Sequence, residues 1–246
     1  MNRANMDLQD SRDVPPSPLA GREGSDPLLL ATLGRLARGL SALFWGLPLA
    51  LVICVQTATG DWLRPLGILP ATLSTGLLVF GLIQLGYFQS QERVWQRALD
   101  RAKIFALLNV GFSPFLFWWN QFQDHTFFRL MVVLTVASGL LLLFALNPVL
   151  QRLAAMLPDE TLRQETRAFT QLNRILLIGT MVLVALVHFL DRFNVLPSPE
   201  SQLGMLRERA SLWLVLFLVL MPMAMIMALL WKTKEVILSS VFGGEV

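Results

Sequence analysis

The sequence predicts an all-α, polytopic transmembrane helical bundle of about six spans, with short amphipathic interfacial and cytoplasmic helices. Of its 246 residues, 54% are hydrophobic and only 15% are charged, whereas a soluble domain carries about 25% charged residues. The apolar residues are gathered into long runs, and the charges fall between them. A hydrocarbon span satisfies its own backbone hydrogen bonds and excludes charge, so this pattern indicates a membrane protein.

The first 39 residues are predicted to lie outside the hydrocarbon core. Residues 1–26 have no apolar segment of the kind a cleavable signal peptide needs and are rich in Pro, Asp and Arg, so we predict a disordered cytoplasmic tail. Asp26 and Pro27 suit the N-cap and first position of a helix. Residues 27–39 then place leucines on one side and arginines on the other, which predicts an amphipathic interfacial helix.

Six apolar runs follow, and we predict that residues 40–231 form the membrane bundle. The predicted spans are 40–58, 66–87, 104–119, 127–146, 175–190 and 212–231. About 20 residues cross ~30 Å of hydrocarbon at ~1.5 Å per residue. The third and fifth runs are shorter, so they need flanking amphipathic residues or a thinner bilayer, and a five-span alternative exists if one is re-entrant. We expect Asn147 and Pro148 to end the fourth span.

The predicted spans divide the 20 Lys and Arg residues unequally between the two sides of the membrane. Fifteen lie on the side that holds both termini and the second and fourth loops, and five lie on the other side. Because cytoplasmic loops carry an excess of Lys and Arg, this bias places both termini in the cytoplasm, including the tail 232–246. We therefore predict a multi-pass protein of a cell inner membrane.

Polar residues inside the spans are few and uncharged. The absence of Asp, Glu, Lys and Arg at mid-span disfavours an ion-coupled transporter or a proton relay, since such proteins hold ionisable groups deep in the bilayer. Gln84, Asn109 and Asn147 all fall toward the predicted cytoplasmic leaflet, so they are candidates for a polar in-membrane cluster. The alternative is that each makes an ordinary interhelical hydrogen bond.

Two histidines are the candidate cofactor ligands. His125 and His188 are the only histidines of the chain, both fall near the predicted outer surface, and Asp124 and Asp191 lie beside them. Such a set can bind haem or a metal, with a carboxylate orienting the imidazole ring. The alternative is ordinary hydrogen bonding at the membrane interface.

Methionines in the last span provide a second chemical candidate. Met221 and Met225 are spaced i, i+4, as are Met223 and Met227, and paired thioethers can bind Cu(I). Flexible apolar filling beside Pro222 is the alternative. We predict no cofactor, with haem and copper as the alternatives that these histidines and methionines leave open.

Two stripes of residues predict contact surfaces. Gly67, Ala71 and Thr75 recur at every fourth position and predict a helix-packing face, because small residues let helices approach closely. Arginines recur at the same interval in the second loop, opposite an apolar side, and predict contact with anionic lipid headgroups or an acidic partner. These arginines are Arg93, Arg97 and Arg101, and the apolar side is Trp95, Leu99 and Ala102.

No nucleotide-binding loop, nucleophile elbow or metalloprotease motif occurs in the sequence. The leading hypothesis is a non-catalytic scaffold, assembly or accessory subunit of a larger membrane complex, with the lipid bilayer and other membrane subunits as partners. One alternative is a channel or facilitator for a neutral small solute. Another is a membrane enzyme or redox protein using His125 and His188. Nucleic acid is excluded as a partner, because no basic stripe with interleaved aromatic residues lies outside the spans.

Overall fold

The computed structural model describes residues 27–88, 92–122, 125–156, 160–192 and 202–242, and within these ranges all regular structure is helical. The helices are α1 (Pro27–Thr59), α2 (Leu69–Gly86), α3 (Arg93–Phe112), α4 (Pro114–Gln121), α5 (Thr126–Met156), α6 (Glu160–Arg192) and α7 (Gln202–Phe242). A single 3-10 turn, Arg64–Leu66, precedes α2. The predicted all-α fold is confirmed.

Five helical stretches of the described chain are long and apolar enough to cross a membrane. They are Ala31–Thr59, Leu69–Gly86, Arg93–Gln121, Thr126–Met156 and Phe217–Leu238. The sixth predicted span, 175–190, lies within α6, a helix of 33 residues. The chain is therefore an integral, multi-pass membrane protein, and its architecture is compatible with about six spans.

Several helices are much longer than the bilayer is thick. The 41 residues of α7 measure ~62 Å and the 31 residues of α5 ~46 Å at ~1.5 Å per residue, against ~30 Å of hydrocarbon. The interfacial helix expected at 27–39 is the first part of the continuous α1. Likewise α5 continues through Pro148, because Val149 and Leu150 are buried in the core and their packing outweighs the local helix-breaking tendency.

The third span is built from two helices joined at a proline. The backbone N–H of Ser113 still donates to the carbonyl of Asn109, and α4 begins at the next residue, Pro114, where that donor is missing. Together α3 and α4 cover 93–121, so the short apolar run 104–119 is lengthened by the amphipathic segment before it. This is one of the routes expected for a short apolar run.

The helices form a closed ring in which neighbours along the chain pack side by side. The contacts run α1–α2, α2–α3, α3–α5, α5–α6, α6–α7 and α7–α1, with α4 against α1 and α5. Arg35 lies over the Tyr87 ring at 5.1 Å, Arg163 donates to the carbonyl of Ala155, and Lys232 pairs with Glu165. These contacts join the start of α1, end of α2, end of α5, start of α6 and end of α7 at one end of the ring, here named the basic end.

Among the side chains that the structure describes, the deepest burial lies toward the basic end. The largest fully buried ones of these lie between the basic end and the middle of the bundle: Leu36, Leu40, Leu43, Leu82, Leu85, Trp95, Leu99, Leu146, Leu150, Leu153 and Leu177. The core therefore continues past the apolar runs into the amphipathic ends of the helices. Interiors of this kind are close-packed, so these ends extend the packed core of the spans.

The closest approach between α1 and α2 occurs at two glycines. A Cβ added to Gly39 would lie 2.9 Å from the carbonyl oxygen of Gly81, and one added to Gly81 would lie 2.9 Å from Cγ of Leu43. Of the predicted packing stripe, Ala71 and Thr75 are buried on α2, whereas Gly67 precedes the helix with φ +61°. The buried face of α2 thus begins at Ala71 and extends to the glycine contact.

Replacing Gly81 with leucine is expected to destabilise the bundle by about 1–3 kcal/mol, the usual cost of overpacking. The reason is that the new side chain meets the backbone of α1 at Gly39, which has no side-chain freedom to yield. The matched control is Gly76→Leu on the same helix, where an added Cβ meets nothing within 4 Å. Denaturant titration in mixed micelles, followed by tryptophan fluorescence, measures both, and equal losses would contradict the contact.

Candidate functional site

The amide of Asn109 joins α3 to α5 inside the bundle. Its Oδ1 accepts a hydrogen bond from Ser138 Oγ at 3.1 Å, and its Nδ2 donates to the carbonyl of Phe105 at 3.3 Å. Both Asn109 and Ser138 are buried. Polar side chains in lipid gain by meeting each other across helices, so this pair fixes α5 against α3.

The amide of Asn147 does the same between α5 and α6. Its Oδ1 accepts from Nδ2 of Asn173 at 2.8 Å, and its own Nδ2 donates to the carbonyl of Leu143 at 3.4 Å. Asn173 is fully buried. It was not among the sequence-predicted site residues, although it shares one face of α6 with other buried polar residues.

The three amides predicted as a cluster do not meet at one place. Ser138, which binds Asn109, and Asn147 are nine residues apart on α5, which is ~14 Å along the helix axis. Gln84 is half-buried on α2, close to Gly39 of α1. The arrangement therefore matches the hydrogen-bonding alternative, in which Asn109 and Asn147 each tie two helices together.

A buried polar stripe on α6 contributes one hydrogen bond to each of two neighbouring helices, through Asn173 to α5 and through Thr180 to α7. Thr166, Thr170, Asn173 and Thr180 are all buried and recur at intervals of four, three and seven, which places them on one face of the helix. Thr180 Oγ1 lies 3.2 Å from the carbonyl of Leu218 on α7 and donates also to its own helix. The helical spacing of these polar residues can be read from the sequence. Charged residues of the predicted fourth loop surround most of them, so the spacing does not stand out as a buried face.

The structure describes the side chain of only one of the two candidate histidines, His125. His125 immediately precedes α5, is exposed, and makes edge-to-face contacts with Phe122 and Phe128 at ring distances of 6.3 and 6.1 Å. His188 lies on α6, but its side chain and Asp124 are outside the described part of the structure. Across the side chains that are described, no three His, Cys, Asp or Glu residues come together as a metal site.

The arginine stripe lies on the outside of a helix whose other side is immobilised in the core. Arg93, Arg97 and Arg101 are exposed, whereas Trp95 and Leu99 are fully buried, as is Ala102. The predicted amphipathic helix is therefore confirmed. None of the three arginines forms an ion pair with another described residue, while nearby Lys103 pairs with Asp100 at 3.3 Å.

An apolar cavity of about 330 Å³, partly open to the outside, lies between the helices from the middle of the bundle toward the end opposite the basic end. Its walls come from α1, α2, α3, α4, α5 and α7, and most of them are aliphatic side chains. On α1 the lining residues fall within 47–59, and on α5 within 132–143. Beyond Leu47 and Leu143 the next core side chains toward the basic end, Leu43 and Leu146, are fully buried and close the cavity at that depth.

The threonine hydroxyls and the amide along the cavity wall are already bonded within the protein. Thr59, Thr75 and Thr135 each donate through Oγ1 to the carbonyl four residues earlier, at 2.8 Å in every case. Asn109 is engaged by Ser138 and by its own helix. A water molecule needs two to four polar partners, so this wall does not favour the hydrated path that a channel for a polar solute requires.

Comparison with known protein families, curated proteins and solved structures finds no match to this chain.

The Asn147–Asn173 hydrogen bond is expected to show a coupling energy in a double-mutant cycle. Alanine at either position removes the bond, so the double variant should lose less stability than the sum of the single variants, by about 0.6 and at most about 1.7 kcal/mol. The control cycle pairs Asn109→Ala with Asn173→Ala, which share no described contact, and is expected to be additive within about 0.5 kcal/mol. Denaturant titration in micelles gives the six stabilities, and a zero coupling for the bonded pair would refute its role.

Proposed function

We propose that the chain is a non-catalytic accessory or assembly subunit of a larger membrane complex. The buried amides and hydroxyls support this proposal, because they are used to join helices and are not assembled around a reacting centre. The packed extension of the helices at the basic end supports it as well. It supplies a packed surface beyond the spans, on which a partner can bind in a fixed orientation.

The observation that carries the proposal is the geometry of Arg93, Arg97 and Arg101. The three side chains project from successive turns of α3, ~6 Å apart along the helix axis. Their helix is held in place by the buried Trp95 and Leu99. An orientation signal needs only positive charge near the membrane. A fixed row of guanidinium groups without internal carboxylate partners among the described residues also fits an acidic surface, since guanidinium binds carboxylates bidentately.

Purification from the native membrane in mild detergent tests this proposal. We expect an assembly heavier than the 27.6 kDa of one chain, containing a second polypeptide in fixed ratio. The substitutions Arg93→Glu, Arg97→Glu and Arg101→Glu together should release the partner, because like charges then face each other. Native mass spectrometry measures both results.

Matched charge reversals separate docking from general loss of positive charge. Arg38, Arg152 and Arg167 are exposed arginines on α1, α5 and α6 at the same end of the bundle. Changing these three to glutamate should leave the assembly intact. Recovery of the unmodified chain only as a lone monomer, or equal release by both triple variants, would overturn the assignment of the α3 stripe. If anionic lipid alone copurifies, the stripe is a headgroup site instead.

The proposed orientation, with the basic end in the cytoplasm of a cell inner membrane, has a separate test. Asp61 and Asp100 lie at opposite ends of the bundle, and their side chains are 80% and 63% exposed. In a Cys54→Ser background, a membrane-impermeant maleimide should label Asp61→Cys in intact cells and Asp100→Cys only after the membrane is opened. The reverse labelling pattern would show that the positive-inside argument fails for this chain.

A further inference from the structure

We propose that the central cavity binds one hydrocarbon chain of a membrane phospholipid. This inference goes beyond the proposed subunit function and does not depend on it. The lining of α1, from 47 to 59, and that of α5, from 132 to 143, extend over ~16–18 Å along the helix axes. This is about half of the ~30 Å hydrocarbon thickness, which is the depth that lipid chains occupy in one leaflet.

The chemistry of the wall selects an apolar occupant. The threonine hydroxyls and the Asn109 amide on the wall are bonded inside the protein, so the described lining offers little to a polar solute or to water. An empty cavity is also unfavourable, because the lining side chains then lack contacts on one side. A saturated chain restores those contacts without requiring any hydrogen bond.

The volume limits the occupant to a single chain. About 330 Å³ is at the lower end of the roughly 300–1,000 Å³ found for small-molecule pockets. One hydrocarbon chain of a lipid fits such a space, whereas a whole two-chain lipid with its headgroup requires a larger volume. The headgroup would therefore stay in the interface at the end opposite the basic end, with one of its chains inside the ring.

The cavity has a lateral route to the bilayer. Val55 on α1 and Val136 on α5 line it and are 50% and 47% exposed, so these parts of the wall continue onto the outer surface of the bundle. Deeper lining residues such as Leu78, Leu140 and Leu142 are buried. A chain can thus enter from the lipid side, where such chains are the most abundant apolar groups.

Photolabelling in nanodiscs tests the proposal. The probe is a phosphatidylcholine that carries a diazirine in one acyl chain, diluted into phosphatidylcholine and phosphatidylglycerol. After irradiation, adducts are mapped by peptide mass spectrometry. We expect adducts on the buried lining residues Leu78, Leu140 and Leu142 in addition to the exposed outer surface. Adducts confined to exposed residues such as Leu107 and Val182 would overturn the proposal.

Filling the cavity provides the matched variant. Gly139 lines the cavity, and a Cβ added there meets only Asn109 Oδ1 at 3.8 Å, so Gly139→Leu projects into the space without a backbone clash. We expect it to abolish adducts on the buried lining residues. Gly111→Leu, where an added Cβ meets nothing within 4 Å, should leave them unchanged. If Gly139→Leu does not elute as the wild type, Ala58→Leu at the far end of the lining replaces it.

Two further outcomes of the labelling experiment would contradict the proposal, and one of them distinguishes a phospholipid acyl chain from a free fatty acid. Persistence of the buried adducts in a folded cavity-filled variant would overturn the proposal. So would labelling by a diazirine fatty acid with none by the phospholipid, because a free acid would then be the ligand. The measurement uses the isolated chain, so its failure leaves the partner experiment standing, and loss of a partner does not affect the labelling.

Discussion

The structure depends on one constraint, which is that the backbone polar groups of a chain inside a bilayer must find their partners within the protein. Each helix satisfies the hydrogen bonds of its own backbone. The side chains of Asn109, Asn147 and Thr180 form additional hydrogen bonds to neighbouring helices. Each such bond is worth only about 0.6–2 kcal/mol in lipid. Their main effect is therefore on which helices meet and in what register.

Once these hydrogen bonds set the register between helices, close packing of side chains stabilises that arrangement. Toward the basic end, Gly39 and Gly81 bring α1 and α2 into backbone contact, and Trp95 fills the space between the amphipathic ends. Toward the other end, the same ring encloses an apolar cavity. Lining side chains of an empty space lack contacts on one side, so an apolar occupant that restores those contacts is favoured.

The fold class and the number of apolar runs could be predicted from sequence because they depend on composition along the chain. The amphipathic side of α3 could also be predicted, since residues 95, 99 and 102 fall on one face by helical spacing alone. The continuation of α5 as one helix past Pro148 could not be predicted, because it depends on the burial of Val149 and Leu150 by other helices. The partner of Asn147 and the Gly39–Gly81 contact depend on the register between helices. That register is a property of the packed bundle and has no local sequence signal.

The two halves of the bundle have different physical capacities, and this difference connects the proposed association with the proposed lipid site. A surface that docks a partner gains affinity from being preorganised, because ordering a mobile one costs entropy at the moment of binding. The end with the exposed arginines is preorganised in this sense, since its helices are held by fully buried side chains. A site for a hydrocarbon chain needs free apolar volume and a lateral opening, and the other half has both. Because α1, α5 and α7 run through both halves, a change in cavity occupancy that shifts these helices would also reach the basic end.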